Sequence, residues 1–317
     1  METGNTINTV KYTGRFGQFI MCLKKQFRLF IMQSDWKFLP MSAVIAAMVS
    51  MAVGRGLFAS MEGNFQGMFA LTCVCIWNGY FNSIQAICRE RSVIKREHRA
   101  GLHITSYVFA HMVYQLFMCI MESAITILVL AVTGVKYPES QIAFGFIPDF
   151  FLTVLFITYA SDIMALMISA IVRTPMAAMT VMPFMLILQL VFAGFISLPS
   201  RFNEITKLMV SNWGVRSLCC VSDFNSLPAV VIWNKMVAAS GNIGIVGNLT
   251  VRNILEVIEK EGYRDTILNK LGEASYRADF VSNPDNLLSC WGHLILFAMV
   301  YAVITMFFLE FIDKDKR

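Results

Sequence analysis

Charge is scarce in this sequence, and so are the motifs that would let the chain perform chemistry on its own. Asp, Glu, Lys and Arg make up only 15% of the 317 residues, whereas soluble domains carry about a quarter. That shortage argues against an ordinary soluble domain. No G-x-x-x-x-G-K-[ST] occurs, so the chain cannot cradle nucleotide phosphates in the P-loop manner. H-E-x-x-H, G-x-S-x-G and G-x-G-x-x-G are also missing, which removes the zinc-protease, serine-hydrolase and dinucleotide-binding readings. His98, His103, His111 and His293 have no metal-ligand spacing, and none of the eight cysteines forms a paired C-x-x-C array. No metal and no cofactor is expected on this chain. A cleavable leader is not evident either: METGNTINTVKYTG is polar, without a basic start and short apolar core.

Apolar sequence is what the chain has in excess. Hydrophobic residues reach 56% and mean hydropathy is +0.60. The apolar runs approach the roughly 20 residues a helix needs to cross about 30 Å of hydrocarbon. Six spans are expected, at about 38–58, 66–88, 106–133, 144–172, 176–197 and 287–312. The fold class is therefore an all-α polytopic membrane protein.

Lys and Arg set the orientation. Lys11, Arg15, Lys24, Lys25, Arg28 and Lys37 precede the first span, and Arg89, Arg91, Lys95, Arg96 and Arg99 follow the second. Arg173 lies between spans four and five, and Lys314, Lys316 and Arg317 close the chain. The other side has only Arg55 and Lys136 near short connections. Under the positive-inside rule both termini are cytoplasmic, in the plasma membrane. The net charge of +5 thus reports orientation, and no nucleic-acid partner is expected.

Four regions follow. Residues 1–37 form a cytoplasmic N-terminus, in which Phe16, Phe19, Ile20, Leu23, Phe27, Phe30 and Ile31 recur at helical spacing opposite Lys24, Lys25 and Arg28. This predicts an amphipathic helix in the membrane interface. Residues 38–197 hold spans one to five, with a charged elbow at 89–105. Residues 198–286 form a large extracytoplasmic loop whose first part could dip back into the membrane, and residues 287–317 hold span six and the tail. Cys219 and Cys220 in that loop read either as small apolar residues or as an intersubunit disulfide pair.

Glu122 and Asp162 lie near the middle of spans three and four, with Asp149 nearer an end. Such carboxylates suit an ion-coupled secondary transporter, or else they satisfy hydrogen bonds between helices. Arg89, Glu90, Arg91, Arg96 and Glu97 make a dense cluster at the cytoplasmic side. Topology explains its cations but not Glu90 and Glu97.

ERSVIKREHRAGLHITSYVFAH resembles the segment joining spans two and three in type-2 ABC exporter permeases, especially the G (white-type) subfamily, whose pattern is roughly E-R-x-x-x-x-R-E-x-x-x-G. Glu90-Arg91, Arg96-Glu97, Gly101 and Ser106-Tyr107 match it, while His98 stands where Arg is common. FAGFISLPSRF and SNWGVRSL are similar to the family's span-five end and outer-loop stretch, the latter without its Pro.

The resemblance implies a dimer of permeases driven by two ATPase subunits, which carry ATP and Mg. It implies a hydrophobic or amphiphilic substrate such as a lipid, drug or lipid-linked precursor. It places Asn78, Phe81, Ile187, Leu190 and Phe192 in a cavity, Phe195 and Ile196 in an upper plug, and Glu90, Arg91, Arg96 and Glu97 in ATPase coupling. Asn78 is either a specificity residue or a helix-packing hydrogen bond. The subfamily usually fuses its ATPase before the membrane domain, and the few residues ahead of span one point to a separate ATPase chain. A third reading is a non-transporting scaffold whose outer loop binds ligands.

Overall fold

The computed structural model describes residues 14–32, 38–54, 57–135, 137–138, 142–194, 199–228, 244–246, 249–264, 266–268, 270 and 276–312. Among these the chain is almost entirely helical. Helix α1 spans Arg15–Met32, α2 Phe38–Val53, α3 Met61–Ser83, α4 Ala86–Arg99, α5 Ile104–Val132, α6 Phe146–Ile171 and α7 Pro175–Val191. Beyond these lie α8 (Asn203–Lys207), α9 (Val210–Val221), α10 (Val251–Lys260) and α11 (Pro284–Glu310). Two short antiparallel strands, β1 (Gly244–Val246) and β2 (Leu249–Thr250), sit in the long connection between α7 and α11.

Local chemistry marks several helix starts. Ser60 accepts from the Gly63 amide at 3.2 Å and opens α3, and Thr174 accepts from Ala177 at 3.2 Å and opens α7. Asn283 accepts from Asp285 at 3.2 Å and opens α11. Each satisfies one of the orphan amides of a first helical turn. Pro175 and Pro284 stand at the first position of α7 and α11, where the missing N–H costs nothing.

Helices α5, α6 and α11 are long and apolar enough to cross a membrane, and α2 and α7 are shorter apolar helices. Large apolar side chains point outward on α5 (Phe109, Phe117, Leu128), α7 (Phe184, Ile187) and α11 (Met299, Val303, Phe307). A water-soluble monomer does not expose contiguous apolar surface on this scale. Lipid covers such faces at no cost.

At the centre lies α3, which packs along α6 and also meets α2, α5, α7 and α9. Sequence reading puts a span at 66–88, but α3 ends at Ser83 and a separate helix starts at Ala86. The polar first turns of α3 (Glu62, Asn64, Gln66) dilute its hydropathy, although Asn64 is buried and donates to Ser222 Oγ at 2.7 Å. Gly79 makes the α3–α6 approach close: a Cβ there would lie 2.5 Å from the Thr158 carbonyl oxygen and 2.7 Å from the Asp162 amide. Gly214 plays the same part where α9 meets Thr72 of α3 and Ile157 of α6.

The first part of the connection between α7 and α11 is drawn into the core. Val210, Val215, Leu218, Cys219 and Cys220 of α9 are buried, and α9 packs on α3, α6 and α11. Ser211 ties it to α7, its amide donating to Gln189 Oε1 at 3.0 Å and its hydroxyl to the Gln189 carbonyl at 2.5 Å. Cys219 and Cys220 are free thiols. Each is 0% exposed, and Cys220 Sγ lies 3.2 Å from the Val281 carbonyl. That burial gives a partner subunit no access to either sulfur.

Candidate functional site

The elbow after α3 is a joint that binds three helices at once. Helix α4 starts without a side-chain cap of its own. Ser169 of α6 supplies one, its Oγ accepting from the Ile87 and Cys88 amides at 3.1 Å each. Three residues after Cys88, Arg91 Nη1 donates to the carbonyls of Ala170 at 2.8 Å and Val172 at 3.3 Å, at the carboxyl end of α6. A guanidinium there satisfies orphan carbonyls and complements the negative end of the helix dipole. Glu90 turns the other way, accepting from Lys25 of α1 at 3.1 Å and from the Tyr107 hydroxyl of α5 at 3.4 Å.

The end of the elbow is pinned as firmly. The Gly101 amide donates to His98 and the Leu102 amide to Glu97, closing α4 in a Schellman turn. That turn needs a residue at positive φ, and Gly101 supplies it at +101°. Gln18 of α1 then clamps the turn: its Nε2 donates to the Gly101 carbonyl at 3.0 Å, and its Oε1 accepts from the His103 amide at 2.8 Å. Ser106 Oγ adds a hydrogen bond to the Arg15 carbonyl at 2.9 Å. Helix α1 is thus held at both ends of the charged cluster, through Lys25 on Glu90 and through Gln18 and the Arg15 carbonyl at the α4–α5 turn and the first turn of α5.

Glu90 and Arg91 therefore face their own chain. Arg96 is exposed together with Ser92 and Arg99, and Glu97 is half-buried. On α1, Cys22 sits close enough to Glu97 for its thiol to respond: burial raises its pKa first, and the Glu97 carboxylate raises it further.

The remaining sequence-predicted residues are distributed along α3 and α7. Asn78 is buried, its Nδ2 donating to Ser42 Oγ of α2 at 3.0 Å. It shares a narrow cleft with Ser42, Trp77, Phe81 and Glu122. Phe81 is half-buried against Trp77, with ring centroids 5.1 Å apart. Ile187 and Leu190 point outward on α7, and Phe192 lies at its end, 6.3 Å from the Phe202 ring. Phe195 and Ile196 fall outside the described residues.

The intramembrane carboxylates both accept from α3. Asn82 Nδ2 donates to Glu122 Oε2 at 3.0 Å and Ser83 Oγ to Asp162 Oδ1 at 2.8 Å. Gln115 Nε2 donates in turn to Ser83 Oγ at 2.6 Å. Asp149 has a local structural task, accepting from the Ala143 and Phe144 amides just ahead of α6. Among the described residues no cluster of His, Cys, Asp or Glu could hold a metal ion.

A cavity of about 300 Å³ opens beside this network, between α1, α3, α4, α5 and α7. Gln26, Asn82, Glu90, His111 and Gln115 are among the residues that line it, together with Phe81 and Tyr114. Sequence reasoning missed the amides and treated His111 as an ordinary packed histidine. The available signal was faint: uncharged polar residues at 26, 82 and 115 within otherwise apolar helical faces.

A comparison with curated proteins returns no match to this chain. The family model described as ABC-2 type transporter matches residues 17–219, from α1 through α9, and so spans the joint, the cavity and the central helix. With well over half its length matched and no nucleotide-binding motif of its own, the chain belongs to the ABC-2 type transporter family, as a membrane permease component.

Proposed function

We propose that this permease is the membrane half of an ATP-driven exporter, working as a dimer with separate ATPase subunits that bind ATP and Mg. Its substrate is a hydrophobic or amphiphilic molecule taken from the cytoplasm or inner leaflet of the plasma membrane. Six spans are formed by α2, α3, α5, α6, α7 and α11, with both termini cytoplasmic and α1 lying in the interface. The outward-facing Ile187 and Leu190 suit a cavity completed by the second permease, in keeping with the resemblance to the G subfamily.

The joint carries this reading. A permease driven from outside needs a rigid connection between the surface that the ATPase pushes and the helices that must move. Helix α4 provides it: Arg91 holds α6, Glu90 holds α1 and α5, and Gln18 clamps the turn. The surface offered to the ATPase is the exposed one around Ser92, Arg96 and Arg99, and Glu90 and Arg91 act as positioning residues. The test is a mild-detergent pull-down of the tagged chain from its native host, with mass spectrometry of its companions. A stoichiometric P-loop ATPase is the expected result. A chain that purifies with itself alone, and moves substrate on an ion gradient, refutes the reading.

One observation favours ion coupling instead. Asp162 is 0% exposed and its Oδ2 has no hydrogen-bond partner among the described residues. An ion-coupled mechanism requires this carboxylate to bind and release a cation. Asp162→Asn, which keeps an acceptor for Ser83, then abolishes transport; in the ATP-driven mechanism it leaves transport standing.

A further inference from the structure

Of the two carboxylates near mid-span, only Glu122 can meet a ligand. Asp162 is 0% exposed, and its Oδ2 is sealed inside the protein without a partner among the described residues. Glu122 Oε2 accepts from Asn82 Nδ2 at 3.0 Å, whereas Oε1 has no partner among the described residues and is not sealed. Glu122 is 2% exposed, and it reaches the surface in the narrow cleft between α2, α3 and α5 that Met41, Ile45, Trp77, Asn78 and Phe81 also line. A carboxylate at that depth with a single hydrogen bond is costly to keep unless something else meets its free oxygen.

The wall of the cleft narrows what that partner is. Among its described residues Glu122 is the only ionisable side chain, and a carboxylate accepts hydrogen bonds and attracts cations. One carboxylate gives calcium or magnesium too few oxygen ligands, and among the described residues no His, Cys, Asp or Glu cluster could hold a metal ion. The cleft encloses about 10 Å³ of water-accessible space, room for about one group the size of a water molecule. A primary ammonium is that size and brings three donors, whereas a trimethylammonium is too large. The Trp77 and Phe81 rings, 5.1 Å apart, add the aromatic surface that cations favour. Met41 and Trp77 are the exposed members of the wall, at 52% and 40%, so an apolar tail can leave past them into lipid.

We infer that this cleft binds the primary ammonium headgroup of a cationic amphiphile, with Glu122 Oε1 as its counter-charge and the Trp77 and Phe81 rings beside it. Asn82 holds the carboxylate in place and is a positioning residue. Asn78, whose Nδ2 donates to Ser42 Oγ at 3.0 Å, has a carbonyl oxygen to spare in the same wall. A phosphate is repelled by Glu122, and a hydroxyl leaves its charge unanswered. This deepens the amphiphile-permease reading by naming the headgroup, and it rests on that reading for transport.

The test uses the full chain in lipid nanodiscs, with tritiated hexylammonium as the probe and scintillation proximity as the readout. At pH 7 an alkylamine, with a pKa of about 10, is charged. Unlabelled hexylammonium should compete better than hexyltrimethylammonium, hexanol or hexyl phosphate. Glu122→Gln should weaken binding at least about tenfold, the lower end for a lost hydrogen bond to a charged group. Glutamine keeps the size of the side chain and an acceptor for Asn82, so the surroundings of the cleft stand. Ile45→Trp is the second variant: it fills the cleft from α2, leaves Glu122 in place and should abolish specific binding. Equal competition by the four compounds, or binding unchanged in either variant, overturns the site. Displacement of the probe by sodium chloride but not by choline chloride at the same ionic strength overturns it in favour of a small-ion site. No ATPase enters this measurement. A missing ATPase partner therefore refutes the exporter reading alone, and missing ammonium binding refutes the site alone.

Discussion

Replacing Arg91 by alanine removes the guanidinium through which α4 donates to the last carbonyls of α6. The Ala170 and Val172 carbonyls lose a charged donor at 2.8 and 3.3 Å. Hydrogen bonds to a charged group contribute about 1.5–3 kcal/mol, and a cation at a helix carboxyl end about 0.3–1 kcal/mol. The second contact is long and counts for less, so the loss should be about 2–4 kcal/mol. The Ser169 cap is untouched, so α4 should remain folded while its angle to α6 loosens. The assay has two arms. Denaturant unfolding in detergent reads the stability loss, and ATP hydrolysis by the assembled complex, with and without substrate, reads coupling. The expected outcome is assembly with lowered stability, and hydrolysis that substrate no longer stimulates. Wild-type stability together with wild-type stimulation would refute the argument that Arg91 joins α4 to α6.

Glu90→Ala should behave differently: its ion pair with Lys25 is part-exposed at 34% and 19% and contributes no more than about 1 kcal/mol. Stability should hardly move while substrate-stimulated hydrolysis falls, and unchanged hydrolysis would remove Glu90 from coupling. Gly79→Leu should prevent assembly, since its Cβ alone would meet the Thr158 oxygen at 2.5 Å; recovery of a wild-type yield of folded protein by gel filtration would contradict the α3–α6 packing. Cys22 should alkylate more slowly at pH 8 than an ordinary thiol, because its raised pKa leaves less thiolate. Its rate should climb as pH rises further, and Glu97→Gln should speed it at fixed pH by lowering that pKa. A rate indifferent to Glu97→Gln would separate α1 from the elbow.

Hydropathy made five of the helices legible, because α2, α5, α6, α7 and α11 carry their apolar residues in unbroken runs. It misplaced the end of α3 for a physical reason. That helix is enclosed by protein, so its environment tolerates Asn64, Thr72, Asn78 and Ser83, provided each finds a partner. A scale calibrated on lipid contact undervalues such a helix, and the apolar Ile84–Cys88 stretch, which opens α4, extends the run past its true end. The amphipathic pattern of α1 was plain from its Phe and Lys spacing. Its docking was not, because the clamp belongs to Gln18, whose partners are the backbone of Gly101 and His103, 83 and 85 residues away.

The Glu90-Arg91 pair shows why residue type alone can mislead about role. In sequence the two charges read as a surface meant for a partner, since charges beside a membrane are usually solvated. Four neighbours decide otherwise. Lys25 and Tyr107 take the carboxylate, and the carbonyls of Ala170 and Val172 take the guanidinium. Two of those four acceptors and donors are main-chain atoms, which carry no sequence signature, and the nearer of them lies 79 residues away. The helical spacing that turns Glu90 and Arg91 inward leaves Ser92, Arg96 and Arg99 exposed. Charge reversal at Arg96 and Arg99 should therefore weaken ATPase binding while leaving the permease's own unfolding unchanged. Reversal at Arg91 should do the opposite, lowering stability first. If both reversals act alike in a pull-down and in an unfolding curve, the division of the elbow into an inner joint and an outer docking face is wrong.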